Sequence, residues 1–374
     1  MIGKDEKLKR AVLWLPAKLY ELAVRVRIAA YETDYLKSKP LDAAVISIGN
    51  ITHGGTGKTP MVEYIARYLQ EEGYQTAILT RGYGRKSESR LILNDPRNRT
   101  GINADAKSLS ESPESPETNK RAHTDDYTQY GDEPLMLARS LPGVPVIIDK
   151  DRYEGGVWAK RELGAQALIL DDGYQHLKLA RNLNILLLDA TDPFGGFEMA
   201  PFGRLREPLY GLKRADVVII TRADRPMDHA QALSIIKHFC GEKVPVMYVY
   251  SEITHLRNTA TNVVYESSDF VGWNVIVMCG IGNPNVFSED ILQQGINIID
   301  ERFFRDHHAY TQEDLDRVTA EALRTGADAI VTTEKDAVRI ERLKQGDVPV
   351  YAAQLQIRSE DEVRLKSLLL RTCL

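Results

Sequence analysis

Residues 45–60 read VISIGNITHGGTGKTP. An apolar run stops at Gly49, a glycine-rich turn follows, and Lys58 and Thr59 stand where a helix begins, with Pro60 suited to its first turn. Backbone N–H groups of such a turn converge on phosphate oxygens, while a lysine adds charge and a following hydroxyl reaches Mg²⁺. Gly54, Gly55, Thr56, Gly57, Lys58 and Thr59 supply these parts. The common spacing is G-x-x-x-x-G-K-[ST]; Thr52 takes the first glycine position here, so the loop is a variant. The stretch predicts a nucleoside triphosphate site between a strand and a helix.

Further apolar runs bounded by turn residues extend the pattern: 76–82 (TAILTRG), 144–149 (VPVIID), 167–173 (ALILDDG), 184–189 (NILLLD), 215–224 (ADVVIITRAD) and 244–250 (VPVMYVY). Helical patterns at 60–72, 133–140 and 152–163 separate them. Strands alternating with helices predict an α/β fold, a P-loop NTPase-like parallel sheet flanked by helices, with ligands at the carboxyl ends of the strands. The polar segment 94–130, with its near-repeat ESPESPE, cannot build a core and reads as a long insertion. After a polar span at 251–262, a second α/β stretch holds NVIVMCGIGNP (274–284), FFRDHHAY (303–310), ADAIVTTEKD (327–336) and VPVYAA (348–353). The expected organisation is an amphipathic helix in 1–40, a kinase-like core in 41–255 carrying the insertion, and a smaller lobe in 256–374.

Composition narrows the function. The 374 residues are 43% hydrophobic and 27% charged, an ordinary soluble-globular balance. With 48 basic against 53 acidic residues, bulk electrostatics gives a nucleic-acid partner no support. Cys240, Cys279 and Cys373 are too scattered for a metal cluster or a disulfide framework, which fits a reducing cytoplasmic setting. No run reaches the roughly 18–20 apolar residues of a spanning helix, and the amino end does not read as a signal peptide. Leu8, Val12, Leu15, Leu19, Leu22, Val26 and Ala29 nevertheless recur at helical spacing among nine Lys/Arg, with Trp14, Tyr20, Tyr31 and Tyr35 interleaved. Such a helix either lies in a membrane surface or packs on its own domain.

A phosphate loop needs a carboxylate at a neighbouring strand end to hold Mg²⁺. Asp149, Asp171, Asp172 and Asp189 occupy such ends, and the adjacent pair Asp171–Asp172 makes sense mainly beside a cation. GDEP places Asp132 and Glu133 at a helix start, where helix capping is the competing explanation, and RDHHAY offers Asp306, His307 and His308. A carboxylate paired with histidine can take a proton from an alcohol during phosphoryl transfer. RGYGR offers Arg81 for a phosphate and Tyr83 for stacking, and REPL adds Arg206 and Glu207 in a loop that reads as a lid or substrate wall.

Taken in order, GNITHGGTGKTP, RGYGR, GDEP, DDGYQH, GRLREPL, DHHAY and TEKD resemble the tetraacyldisaccharide 4'-kinase family of lipid A biosynthesis. The resemblance spans nearly the whole chain, and GDEP and DDGYQH are more specific than the phosphate loop. It implies an ATP- and Mg²⁺-dependent kinase. Such an enzyme phosphorylates the 4'-hydroxyl of a tetraacyl glucosamine disaccharide 1-phosphate to lipid IVA, at the cytoplasmic face of the bacterial inner membrane. On that basis Lys58 and Thr59 hold the triphosphate and metal, and Asp171, Asp172 and Glu207 form the metal environment. Asp132 is the base, assisted by His307. Glu133, His176 and Arg206 support the site, Tyr83 lines it, and TEKD (333–336) is a weaker candidate for the nucleotide base.

Two other nucleotide-binding readings compete. A P-loop switch ATPase uses KGGTGKT, but His53 stands where its lysine belongs. A GTPase reading rests on TRAD (221–224), which lacks the Asn-Lys start of guanine-reading motifs.

Overall fold

The computed structural model describes residues 4–82, 89–97 and 129–374, with side chains from residue 13 onward. Most of the insertion and Tyr83 lie outside the described residues. After α1 (Lys4–Glu32), β1 (Ala44–Asn50) leads through the phosphate loop into α2 (Lys58–Glu71) and β2 (Thr76–Thr80). Strands β3 (Leu91–Leu93) and β4 (Val146–Ile148) bracket α3 (Asp132–Ser140) in the chain. Next come α4 (Arg152–Leu163), β5 (Ala167–Asp171), β6 (Leu183–Asp189), β7 (Val217–Thr221), α5 (His229–Cys240) and β8 (Val246–Asn258). The chain continues through β9 (Val264–Glu266), β10 (Asn274–Cys279), α6 (Pro284–Gln293) and β11 (Asn297–Phe303). It closes with α7 (Gln312–Thr325), β12 (Ala329–Thr333), α8 (Glu334–Ile340), β13 (Val350–Ser359) and α9 (Glu362–Cys373).

Two compact units result, and they interleave along the chain. One takes residues 1–80, 151–250 and 358–374, the other 81–150 and 251–357. Linear boundaries such as 41–255 and 256–374 therefore describe these units only in part.

In the first unit, β7, β6, β1, β5 and β2 pair in parallel in that order, with the start of β8 beside β7. These strands are buried on both faces, which is why they read as near-continuous apolar runs. Ile48 sits in register with Asp171 and Asp189 with Thr221, so the phosphate loop and the acidic residues share the carboxyl edge.

Helix α1 continues past Pro16 without a break in its helical assignment. Its packed residues are Ala17, Val24 and Ile28, and the Tyr20 hydroxyl donates to the Arg206 carbonyl at 2.9 Å. The stripe read from the sequence faces the other way: Leu15, Leu19, Leu22 and Val26 are 57–61% exposed. Internal packing and the apolar stripe thus use different residues of one helix.

In the second unit, β11, β10, β12 and β13 pair in parallel, while β3–β4 and β8–β9 pair antiparallel. Val275, Val277 and Cys279 enter one core cluster and Ile276 and Met278 another, the period of two that a doubly covered strand requires. Helix α7 starts with a capping box between Thr311 and Asp314, and α8 starts on a Thr333 side-chain cap.

Candidate active site

The phosphate loop is held by its carbonyls. Asn50 Nδ2 donates to the Thr52 carbonyl at 2.9 Å, Arg204 Nη2 to that of His53 at 3.0 Å, Arg222 Nη1 to that of Gly55 at 2.9 Å, and the Thr221 hydroxyl to that of Thr56 at 3.1 Å. The frame of the loop is therefore set by protein contacts. Gly54 and Gly57 adopt φ of 116° and 74°, and a Cβ on Gly54 would come within 2.6 Å of Arg204 Nη2. No side chain caps α2 behind Gly57, which leaves its first-turn N–H groups for an anion.

Two sequence readings change here. Thr221 and Arg222, the start of TRAD, brace the loop instead of reading a base. The GRLREPL segment is no lid over the loop: Thr52 and Leu205 form an antiparallel bridge, His53 N–H donates to the Arg204 carbonyl at 2.7 Å, and Arg206 N–H donates to that of Ile51 at 2.7 Å.

The DDGYQH block closes β5 beside this loop. Asp171 is buried and accepts from the Thr80 hydroxyl at 2.9 Å. Asp172, at a left-handed φ of 47°, takes Arg206 Nη1 on both oxygens at 2.9 and 2.7 Å, with Lys58 Nζ 3.7 Å away. Burial alone would push the Asp172 carboxyl up; Lys58 and Arg206 outweigh it and hold the group below the usual carboxylate range. Two basic side chains thus flank Asp172, one member of the carboxylate pair. Lys58 also reaches Asn50 Oδ1 at 3.4 Å.

A Cβ on Gly49 would meet the Tyr174 backbone at 2.7 Å, so the block lies directly on the end of β1. Gln175 Nε2 donates to the Asn50 carbonyl at 2.8 Å and to Glu207 Oε1 at 2.7 Å. Glu207 is fully buried, and its other oxygen accepts from Arg214. Both of its oxygens are held by side chains, as are those of Asp172. His176 is pushed down to about 3, first by burial and then by Arg152 and Arg181, which makes it a neutral ring at physiological pH. Asp189 is engaged by Arg222 and Thr191, and Asp149 by Arg90.

Among the described residues no three His, Cys, Asp or Glu side chains form a metal cluster. An ion here would draw on the Thr59 hydroxyl, the Asp171, Asp172 and Glu207 carboxylates, water and ligand phosphate. This oxygen-only, ligand-completed set fits Mg²⁺.

The second unit holds another cluster. Asp132 begins α3 and is 8% exposed; its Oδ2 lies 3.0 Å from His307 Nδ1. Arg339, 2% exposed, donates through Nε to Asp132 Oδ1 at 2.9 Å and engages Oδ2 through Nη2. His307 adopts a left-handed φ of 60° and its side chain is 36% exposed. Backbone strain of this kind concentrates at functional positions. Lys335 Nζ lies 3.2 Å from His307 Nε2 and 3.8 Å from Glu133 Oε1. His308 turns instead to Asp314 at 2.9 Å and stacks on Phe304.

Lys58, Asp172 and Arg206 therefore meet in one unit, and Asp132, His307 and Glu133 gather in the other. Arg81 is exposed, and Tyr83 lies outside the described residues. The sequence reading misses Lys335 and Arg339. Lys335 stands within TEKD, where Thr333 caps α8 and Glu334 pairs with Arg257, so these side chains have work other than base recognition.

The sequence profile described as tetraacyldisaccharide-1-P 4'-kinase matches residues 9–106 and 110–373. The tetraacyldisaccharide 4'-kinase of Geobacter sulfurreducens is 35% identical over 370 residues, covering 98% of this chain and 94% of that one. That of Pelobacter propionicus is 36% identical over 327 residues, covering 86% and 81%. A crystal structure of LpxK from Aquifex aeolicus in complex with ATP superposes with a TM-score of 0.71 at 29% identity, covering 98% of this chain and 99% of that chain. With a phosphate loop, a DDGYQH block and an Asp132–His307 pair in place, and a match over nearly its full length, the chain belongs to the tetraacyldisaccharide 4'-kinase family.

Proposed function

We propose that the chain transfers the γ-phosphate of ATP to the 4'-hydroxyl of a tetraacyl glucosamine disaccharide 1-phosphate, giving lipid IVA. The observation that carries the mechanism is the pairing of buried Asp132 with half-exposed His307. The triphosphate binds on the N–H groups of residues 54–59, with Lys58 on its charged end. Mg²⁺, held by Thr59 and the Asp171–Asp172 pair, would neutralise charge on the β- and γ-phosphates.

The sequence reading gives the proton to Asp132 and an assisting place to His307. Arg339 touches both partners, the Asp132 oxygens and His307 Nδ1 at 3.1 Å, so it holds the pair together without favouring the ring over the carboxylate. In this reading Asp132 takes the hydroxyl proton, and His307 assists by holding the carboxylate and sharing the charge. The O–H bond breaks, the oxygen bonds to the γ-phosphorus, ADP leaves, and the Asp132–His307 pair returns the proton to water.

The decisive assay follows ³²P from the γ-position of ATP with and without the lipid disaccharide. Transfer to the lipid, with little hydrolysis in its absence, is expected. Hydrolysis at full rate without acceptor would favour the switch ATPase.

The acceptor is a lipid, and α1 offers the means to approach it. Its exposed Trp14, Leu15, Leu19, Leu22 and Val26 suit a helix lying in the surface of the inner membrane's cytoplasmic face. No helix among the described residues is long and apolar enough to cross a membrane. Each leucine entering the acyl boundary contributes about 1.5–3 kcal/mol. Arg27 adds roughly 1 kcal/mol near anionic headgroups. Lys18 and Arg25 share Glu21, which reduces their share.

Changing Leu15, Leu19 and Leu22 to serine is expected to release the protein from anionic vesicles and raise KM for lipid. The melting temperature and KM for ATP should stay unchanged, since none of the three is buried. Co-sedimentation with vesicles and a thermal melt check this; retained binding would reject the membrane reading.

A further inference from the structure

Thr333 and Asp336 begin α8 with the same T-x-x-D spacing that Thr311 and Asp314 have at the start of α7. In α7 the carboxylate closes a capping box, with Asp314 Oδ2 accepting from the Thr311 N–H at 3.1 Å. In α8 the carboxylate is used differently. Asp336 is fully buried, and its Oδ2 accepts from the Thr333 hydroxyl at 2.8 Å and from the N–H of Gly280, the residue after β10, at 3.0 Å. Burial pushes its carboxyl up despite these donors. Thr333 already caps the helix, so capping alone does not account for a buried carboxylate here.

Its contacts lead to both members of the Asp132–His307 pair. The Gly280 carbonyl accepts from the His307 N–H at 3.2 Å, at the residue whose φ is 60°. A Cβ on Gly280 would stand 2.9 Å from the Arg305 carbonyl and 3.0 Å from the Tyr310 hydroxyl, so the 305–310 loop packs directly on this peptide. On the other side, Asp336 Oδ1 lies 3.6 Å from Arg339 Nη1, about one turn further along α8. Arg339 in turn donates to Asp132 Oδ1 at 2.9 Å and to the His308 carbonyl at 3.1 Å.

We propose that Asp336, the last residue of TEKD, is a positioning residue for phosphoryl transfer: one oxygen fixes the Gly280 peptide that carries the His307 backbone, and the other backs the guanidinium that holds Asp132. This rests on the reading of Asp132 and His307 as the proton-accepting pair. One buried carboxylate thereby sets the spacing of two groups 175 positions apart in sequence. Misplacing a reacting group by about 1 Å costs on the order of a hundredfold in rate.

Asp336→Asn keeps the size of the side chain but offers one acceptor oxygen, so either Gly280 and Thr333 or Arg339 then meets an amide donor with a donor. In the full-length protein it is expected to lower kcat about tenfold to a hundredfold, with KM for ATP unchanged and a cooperative thermal melt retained. Made in the Asp132→Asn, His307→Ala double variant, the same change should cost less than about threefold more, because the groups it positions are already gone. Thr333→Val removes the hydroxyl that donates to Oδ2 and should lower kcat severalfold; it decides the matter if Asp336→Asn does not fold. A normal kcat in folded Asp336→Asn, or in Thr333→Val where Asp336→Asn is unfolded, overturns the proposal. So does a full further loss in the double variant, which would place the effect of Asp336 outside the pair. Activity retained in both Asp132→Asn and His307→Ala would reject the underlying reading, and the role of Asp336 with it. Inactive Asp132→Asn and His307→Ala beside a normal Asp336→Asn remove the role of Asp336 alone.

Discussion

Lys58→Ala is expected to lower kcat/KM by on the order of a hundredfold to a thousandfold, about 3–4 kcal/mol of transition-state stabilisation. Besides Mg²⁺, the other groups holding the phosphate in our reading are backbone N–H dipoles, fixed in place by Asn50, Arg204, Thr221 and Arg222. Lys58 is a cation on a flexible side chain and can follow charge as it moves onto the leaving oxygen. In this structure its ammonium rests between Asn50 Oδ1 and Asp172 Oδ1, contacts long enough to be given up when phosphate arrives. Alanine should leave the fold intact, because the loop carbonyls keep their donors. Lys58→Arg should not restore the rate, since the planar guanidinium does not fit a place built for a point charge. Initial rates at saturating lipid, with a thermal melt as control, check this. A variant turning over at close to the normal rate would show that the loop is not the phosphate site.

The second large effect concerns the proton. Asp132→Asn and His307→Ala should each lower kcat by about a hundredfold to ten-thousandfold, the range of a lost general base, with ATP binding retained. The double variant should be little worse than the worse single one, because the two side chains act as one unit. The variants differ in stability, however. Asp132→Asn leaves the Arg339 guanidinium buried without its carboxylate, a loss of about 3 kcal/mol or more, whereas half-exposed His307 can be cut to alanine at small cost. Rates and urea melts on all three variants separate these effects. Losses that multiply in the double variant would mean that the residues act independently.

The apolar runs make the strands legible because each is buried on both faces: TAILT, ALILD and VVIIT are wholly buried strands and stand out against polar turns. Strand β11, NIIDERF, does not read as one; only alternate residues are sheltered, and its charges mask the period. Helix α8 has seven residues, too few for a helical period to emerge. Arg339 is hidden for that reason, and also because its carboxylate partner lies 207 positions away in sequence. The Asp132–His307 contact, 175 positions apart, enters the sequence reading only through the family resemblance. Thr221 and Arg222 escape recognition because they bind loop carbonyls, and backbone contacts leave no mark on the sequence of their target. The contacts of Glu207 with Gln175 and Arg214 are not legible, since those partners sit in separate segments.

The interleaving of the two units bears on how the chain is made. Ribosomes release a polypeptide from its amino end at about 5–20 residues per second, and domains usually fold in that order as they emerge. Here the first unit waits. Its sheet begins at residue 44, yet it also needs 358–374, where Glu362 accepts from the Tyr64 hydroxyl at 3.1 Å and Asp361 from the Tyr248 N–H at 3.2 Å. Every residue of the second unit is synthesised before those groups exist, so the nascent nucleotide-binding unit stays incomplete, with apolar strands already assembled, through translation of 251–357. A nascent chain of this design has lasting need of holdase protection, and its yield should depend on elongation rate more than that of a protein whose domains follow one another in line.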